Sequence, residues 1–272
     1  MGKGVVRQYF DEEADGYLRA YLSQDGSARS EIFQERRRLV LECLDGSLGR
    51  VLDIGSGPAV FAKPLLMRAR EYWVVDLSPG MVRLGQAHLA GHPEASRMRY
   101  QVADVESLPF RDGAFDTVLC IGVLQYLLNP ADALRELSRV THAGGQVLIS
   151  FPNYGSPLNI LHRGLVRTLR RGLDVLQRVG VAFHPHASRL TFREDIPNTA
   201  LAVRHVEEIA RQVGLRPDQL RFLSVHFPFS IPGCQGLLRS WDRLANRVFH
   251  ASWAPRWGRE AILGFRRDEV RA

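Results

Sequence analysis

The 272-residue sequence predicts an α/β protein built on a doubly wound, mostly parallel seven-stranded sheet, with helical insertions after the fifth and sixth strands. Three observations carry that expectation. Short apolar runs alternate with helical stretches between residues 31 and 151, the pattern of right-handed βα crossovers. A Gly55-Ser56-Gly57 turn follows the first of those runs directly and opens a helix, as a loop does when it must approach a ligand. Acids stand at the ends of the first three strands, along the edge where doubly wound sheets bind ligands.

Taken in order, residues 1–30 precede the sheet, and 31–272 are expected to form one domain with insertions at about 152–199 and 228–257. Between Ile32 and Leu44, apolar residues at 32, 33, 39, 40, 41 and 44 with cations between them predict a helix that stops before Asp45-Gly46. Strands are expected at 50–54, 71–75, 98–102, 115–121 and 145–151. Ser156-Pro157 then starts a helix with leucines at 158, 161, 165, 169, 173 and 176, carrying Arg163, Arg167, Arg170, Arg171 and Arg178 against Asp174. A His/Pro-rich loop leads to a helix near 200–213, a strand at 220–227, an apolar helix at 236–249 and a last strand at 261–266.

Composition excludes several classes. At 45% apolar and 24% charged the chain is neither disordered nor fibrous, and its longest apolar stretch is far short of a membrane span. The start has no apolar leader, so a cytoplasmic protein is expected. Cys43, Cys120 and Cys234 are odd in number and widely spaced, which suits buried thiols; no metal site is expected. Charge is uneven: residues 1–150 carry 17 cations against 19 acids, and 151–272 carry 19 against 10. A helix with leucines on one face and arginines on the other can lie on an anionic membrane, so peripheral association through 157–180 is one expectation; packing on the domain with the arginines in water is the other.

The chemistry is concentrated at the strand ends. In Val51-Leu52-Asp53-Ile54-Gly55-Ser56-Gly57, the sixth position of a dinucleotide fingerprint falls on Val60 rather than glycine, which weakens a nicotinamide or flavin reading. Asp76 ends the second strand where a carboxylate can accept from two ribose hydroxyls. Asp104 follows the third strand, where a carboxylate and a neighbouring amide can recognise an adenine edge. With Asp53, these acids describe a site for adenosine attached to a positive centre; a diphosphate would be repelled.

On these residues the sequence resembles the class I S-adenosylmethionine-dependent methyltransferases of small-molecule type, similar to the ubiquinone/menaquinone-biosynthesis enzymes. VLDIGSGPA, VVDLSPGM, ADVESLPF, FDTVLCIGVLQYL and LSRVTHAGGQVLIS resemble that family's successive motifs, in order, over residues 50–151. The resemblance implies a Rossmann-like fold with S-adenosyl-L-methionine as cofactor. It implies that Asp53, Gly55, Ser56 and Gly57 hold its methionine part, Asp76 the ribose, and Asp104 and Val105 the adenine. Leu77 and Met81 would pack on the nucleoside, with Ile121 at the end of the fourth strand, and Tyr17 would belong to an N-terminal lid whose aromatics close over the cofactor. The chain departs from the pattern at Ala59, where a third glycine is usual, and at Gln125-Tyr126, where many relatives carry histidine.

Methyl transfer from a sulfonium needs alignment first and a base only if the acceptor must lose a proton. Tyr126, His184, His186 and His226 are the candidates for that base; each histidine has a structural alternative as a solvated, capping or strand residue. Large apolar residues in the second insertion point to a small hydrophobic or lipid-linked acceptor, methylated most readily on oxygen. The alternatives are a nucleic-acid methyltransferase, suggested by the basic C-terminal half but lacking an Asn/Asp-Pro-Pro-Tyr motif after the fourth strand, and a non-catalytic cofactor-binding scaffold.

Overall fold

The computed structural model describes residues 2–23, 28–154, 156, 199, 201–223, 258 and 260–269. Two helices come first, α1 (Lys3–Leu22) and α2 (Ala28–Glu42). Then β1 (Gly49–Ile54), α3 (Ala62–Leu65), β2 (Ala69–Asp76), α4 (Pro79–Leu89), β3 (Met98–Val102), β4 (Phe115–Ile121), α5 (Pro130–Val140) and β5 (Thr141–Pro152) alternate, and α6 (Val203–Gln212), β6 (Leu215–Phe222) and β7 (Glu260–Arg267) close the sheet. The seven strands lie in the order β3-β2-β1-β4-β5-β7-β6; β7 runs antiparallel to both its neighbours. Reversal of strand order beside β1 leaves a crevice between the ends of β1 and β4, and that crevice positions the site.

The strands are apolar because helices bury them from both sides. Leu52, Val118, Cys120 and Val147 face one layer, packed with Leu134 and Leu137 of α5 and Val206 of α6. Val51, Val74, Leu119 and Leu148 face the other, packed with Phe33 and Val40 of α2 and Tyr21 of α1. Phe151 and Phe265 are fully buried, and cutting either to alanine costs about 3–5 kcal/mol. Helix starts follow their capping residues: Ser78 accepts from the Met81 amide at 2.9 Å ahead of Pro79, and Asn129 accepts from the Ala131 amide at 3.2 Å ahead of Pro130.

Strand β5 begins at Thr141, four residues before its expected start, and two further elements differ from expectation. The sixth strand lies five residues earlier than the 220–227 run: β6 begins at Leu215 and includes Pro217, with a register shift between Pro217 and Gln219. Arg216-Pro217-Asp218 reads as a turn in sequence, yet an outermost strand tolerates proline and a bulge because one side needs no ladder partner. The helix after the glycine turn is a single turn, α3, followed by a 3-10 turn at Leu66–Arg68, because residues 55–61 are spent on the loop itself. The leucine/arginine helix at 157–180, the apolar helix at 236–249 and Cys234 lie outside the described residues. No described helix is long and apolar enough to cross a membrane.

Candidate active site

β1 delivers the chain to Gly55 and Gly57, both in left-handed conformation at φ of 62° and 52°. A side chain at Gly55 would strike Val123 in the loop after β4, since its Cβ would lie 2.2 Å from Cγ2. At Gly57 a Cβ would meet nothing closer than the Met81 sulfur at 3.8 Å, so this glycine keeps a cradle open above the backbone. Ala59 is also left-handed at φ 57°, the only non-glycine in that region among the described residues.

Asp76 ends β2 with its carboxylate shared between two backbone amides, Gly57 and Ser78, each at 2.9 Å. Burial pushes its pKa up to about 6, against the lowering effect of those amides. Asp104 caps the turn after β3, accepting the Glu106 amide at 3.0 Å, and the Lys3 ammonium of α1 bridges Asp104 and Glu106. Asp11, one helical face further along α1, accepts from the Ser78 hydroxyl at 2.5 Å and the Gly80 amide at 2.8 Å. Burial works against the Asp11 charge, but those two donors hold its carboxyl below the usual range. Thus α1 is tied to the ends of both β2 and β3.

A cavity of about 320 Å³ lies between α1 and the sheet edge, within the range of small-molecule sites. Of the residues expected at a cofactor, Tyr17, Gly55, Ser56, Gly57, Asp76, Leu77 line it, as do Met81, Asp104, Val105 and Ile121. Asp53 does not: it is 1% exposed and accepts the Tyr72 hydroxyl at 2.9 Å, behind the loop, where burial pushes it up to about 7. It therefore stands behind the site rather than in the cavity wall. The roof is aromatic: Phe10 meets Tyr17 at 5.8 Å and Tyr126 at 5.2 Å between ring centroids, both edge to face. Burial raises the Tyr126 phenol, so it holds its proton at neutral pH. His184, His186 and His226 lie outside the described residues. Among the described residues no three His, Cys, Asp or Glu side chains cluster as a metal site.

The cavity also takes residues that no motif marks. Arg36 of α2 donates to Glu260 at the start of β7 at 2.6 Å and to the Tyr21 hydroxyl at 3.0 Å, and Glu260 accepts from Ser150 at 2.6 Å. Burial opposes the Arg36 charge, and Glu260 more than compensates, holding the guanidinium protonated. In sequence Arg36 is one of three consecutive arginines, which read as a solvated helix face, and its partner lies 224 residues away. Gln125, 7% exposed, lines the cavity beside Tyr126.

This sheet order, with a glycine turn and acids gathered at one crevice, is the architecture of the Rossmann-like methyltransferases. A methyltransferase-domain model matches residues 52–149. The demethylmenaquinone methyltransferase of Deinococcus radiodurans is 30% identical over 195 residues, 71% of this chain and 77% of that protein. The ubiquinone/menaquinone biosynthesis C-methyltransferase UbiE of Geobacter sulfurreducens is 33% identical over 117 residues, 42% of this chain and 46% of that protein. The chain spans about half the length of most of the curated relatives it matches. In fold it resembles magnesium protoporphyrin IX methyltransferase from Synechocystis, solved with bound S-adenosylhomocysteine, at TM-score 0.62 and 17% identity over 98% of this chain and 100% of that one. The chain belongs to the S-adenosylmethionine-dependent methyltransferases.

Proposed function

We propose that the protein transfers a methyl group from S-adenosylmethionine to a small, largely apolar acceptor that carries a hydroxyl, with oxygen as the atom methylated. The observation that supports this reading best is the cavity: a floor of glycine loop and strand-end acids, under an aromatic roof. Its residues fit the cofactor. Gly57 leaves room above the backbone where any side chain would stand in the cradle. Asp76 keeps free lone pairs for two ribose hydroxyls while its amide bonds fix its position. Asp104 with the Val105 amide suits an adenine edge, and Lys3 marks that carboxylate as a site for hydrogen-bond donors. Leu77, Met81 and Ile121 supply apolar walls.

The cofactor supplies a methyl group already activated on a sulfonium, so the chain's work is to align and to exclude water. In this reading α1 is the lid: Lys3 and Asp11 dock it, and Phe10 and Tyr17 cover the cavity. Tyr126 keeps its proton and serves as wall and hydrogen-bond donor rather than as base. The names of the relatives, which include C- and O-methyltransferases of ubiquinone and menaquinone biosynthesis, support a quinone-precursor ring as the acceptor class.

Incubation with methyl-labelled S-adenosylmethionine and a panel of benzene and naphthalene hydroquinones tests the proposal. Label on a phenolic oxygen is the expected result. Label on a ring carbon would move the proposal to C-methylation, and no transfer by a protein that binds cofactor would favour a scaffold. Peripheral membrane association through 157–180 stays part of the proposal. Flotation with anionic vesicles, lost when Arg163, Arg167, Arg170 and Arg171 are replaced, is the outcome it requires.

A further inference from the structure

Four buried side-chain atoms have no hydrogen-bond partner among the described residues: Nε of Arg36, Nε of Arg37, Nε1 of Trp73 and Oε1 of Gln125. Only the last is an acceptor, and it belongs to a residue that lines the cavity with 93% of its surface buried, the complement of its 7% exposure. Its orientation is fixed. Nε2 donates to the Gly122 carbonyl at 2.8 Å, and since a carbonyl can only accept, turning the amide over would set two oxygens against each other. The backbone is held as well, because the Gln125 carbonyl accepts the Thr199 amide at 2.7 Å and the next residue, Tyr126, is locked against Phe10. A buried carbonyl oxygen left unpaired is costly, and the residue that carries this one is part of the cavity wall.

We propose that Gln125 is a specificity residue of this site: its Oε1 accepts a hydrogen bond from an O–H or N–H group of the bound ligand. As an amide it orients that donor and cannot remove its proton, so a ligand without a donor at that point binds with the oxygen still unpaired. The inference rests on the cofactor reading above. The donor has two sources, a hydroxyl of the acceptor or the α-ammonium of the cofactor's methionine end.

Calorimetry on the whole chain separates them, using wild type and Gln125→Met, which keeps the length but not the acceptor. The probes are S-adenosylhomocysteine, 5′-methylthioadenosine, which lacks the amino-acid tail, and, with S-adenosylhomocysteine bound, 1,4-dihydroxynaphthalene against its dimethyl ether. The expected result is that wild type prefers the diol about tenfold, the weight of one buried hydrogen bond, and that Gln125→Met erases the preference. A loss of about tenfold for S-adenosylhomocysteine alone in Gln125→Met, with 5′-methylthioadenosine unchanged, places the donor on the cofactor and equally supports the proposal. Unchanged 5′-methylthioadenosine affinity shows that Gln125→Met is folded. An unaltered cofactor preference, together with diol and ether that bind alike or not at all, overturns it. Failure of wild type to bind either cofactor analogue overturns the cofactor reading, and this inference with it.

Discussion

The carboxylate of Asp76 accepts the backbone N–H of Gly57 at 2.9 Å, so the end of β2 holds the glycine turn that follows β1. The acid that would bind a ribose is thereby also the acid that shapes the cradle. Burial raises Asp76 to about 6 and Asp53 to about 7, from 3.8 for each in an open chain. Between those values the folded state holds more protons than the unfolded state, so these two groups make the ligand-free protein less stable as pH rises from about 4 to about 7, with no further change above. Asp53→Asn, which cannot ionise but still accepts from Tyr72, gains stability relative to wild type on going from about pH 5 to about pH 8. Denaturant unfolding at both values checks this. Cofactor affinity falls as pH drops through about 6, because a protonated Asp76 has lost acceptor capacity.

Ala59 stands at φ 57° with no exposed surface, beside Gly85, where an added Cβ would lie 3.2 Å from its own. Ala59→Gly relieves about 1–2 kcal/mol of backbone strain. It gives up about 0.8 kcal/mol of methyl burial and about 0.4–1 kcal/mol in unfolded-chain entropy. Its net effect is therefore within about 1 kcal/mol of zero. Ala59→Val places a branched side chain in the same conformation against Gly85 and loses more than about 2 kcal/mol. Thermal unfolding of both variants distinguishes this account from one in which position 59 only needs to be small.

The Arg36–Glu260 pair, with side chains 14% and 7% exposed, ties α2 to the first residue of β7. Arg36→Met leaves the Glu260 charge buried and costs about 3–5 kcal/mol, whereas Arg36→Met with Glu260→Leu recovers part of that loss. A double-mutant cycle by urea unfolding measures the coupling.

If Tyr126 were the base, losing its hydroxyl would cost about 100-fold or more in kcat. Because burial raises its phenol, Tyr126→Phe is expected to keep kcat within about tenfold and to leave the pH profile unmoved, while the ring contact with Phe10 persists. A pH series of initial rates for wild type and variant is the check.

Motifs made the sheet and the floor of the site legible in the sequence. β3 and β4 fall at the expected residues, and Gly55, Gly57, Asp76 and Asp104 meet at one crevice because each sits at a strand end that the topology brings to the same edge. What could not be read depends on contacts across the chain. Arg36 and Glu260 are joined only in three dimensions, Lys3 reaches Asp104 across 101 positions, and Pro217 hides an edge strand behind a turn signal. Asp53, equivalent to its companions in sequence, faces Tyr72 instead of the cavity because Tyr72, its hydroxyl donor, lies in the neighbouring strand β2. Gln125 could be noted only as the absence of a histidine; its unpaired oxygen needs the fold around it.

Titration of S-adenosylhomocysteine into wild type and Asp76→Ala, with unfolding curves to confirm that both are folded, tests the central claim most directly. The expected result is wild-type binding on the order of micromolar and a loss of about 100-fold in the variant, from two hydrogen bonds to a charged carboxylate and a loosened glycine turn. A folded wild type that does not bind, or a folded variant that binds as tightly as wild type, would contradict it.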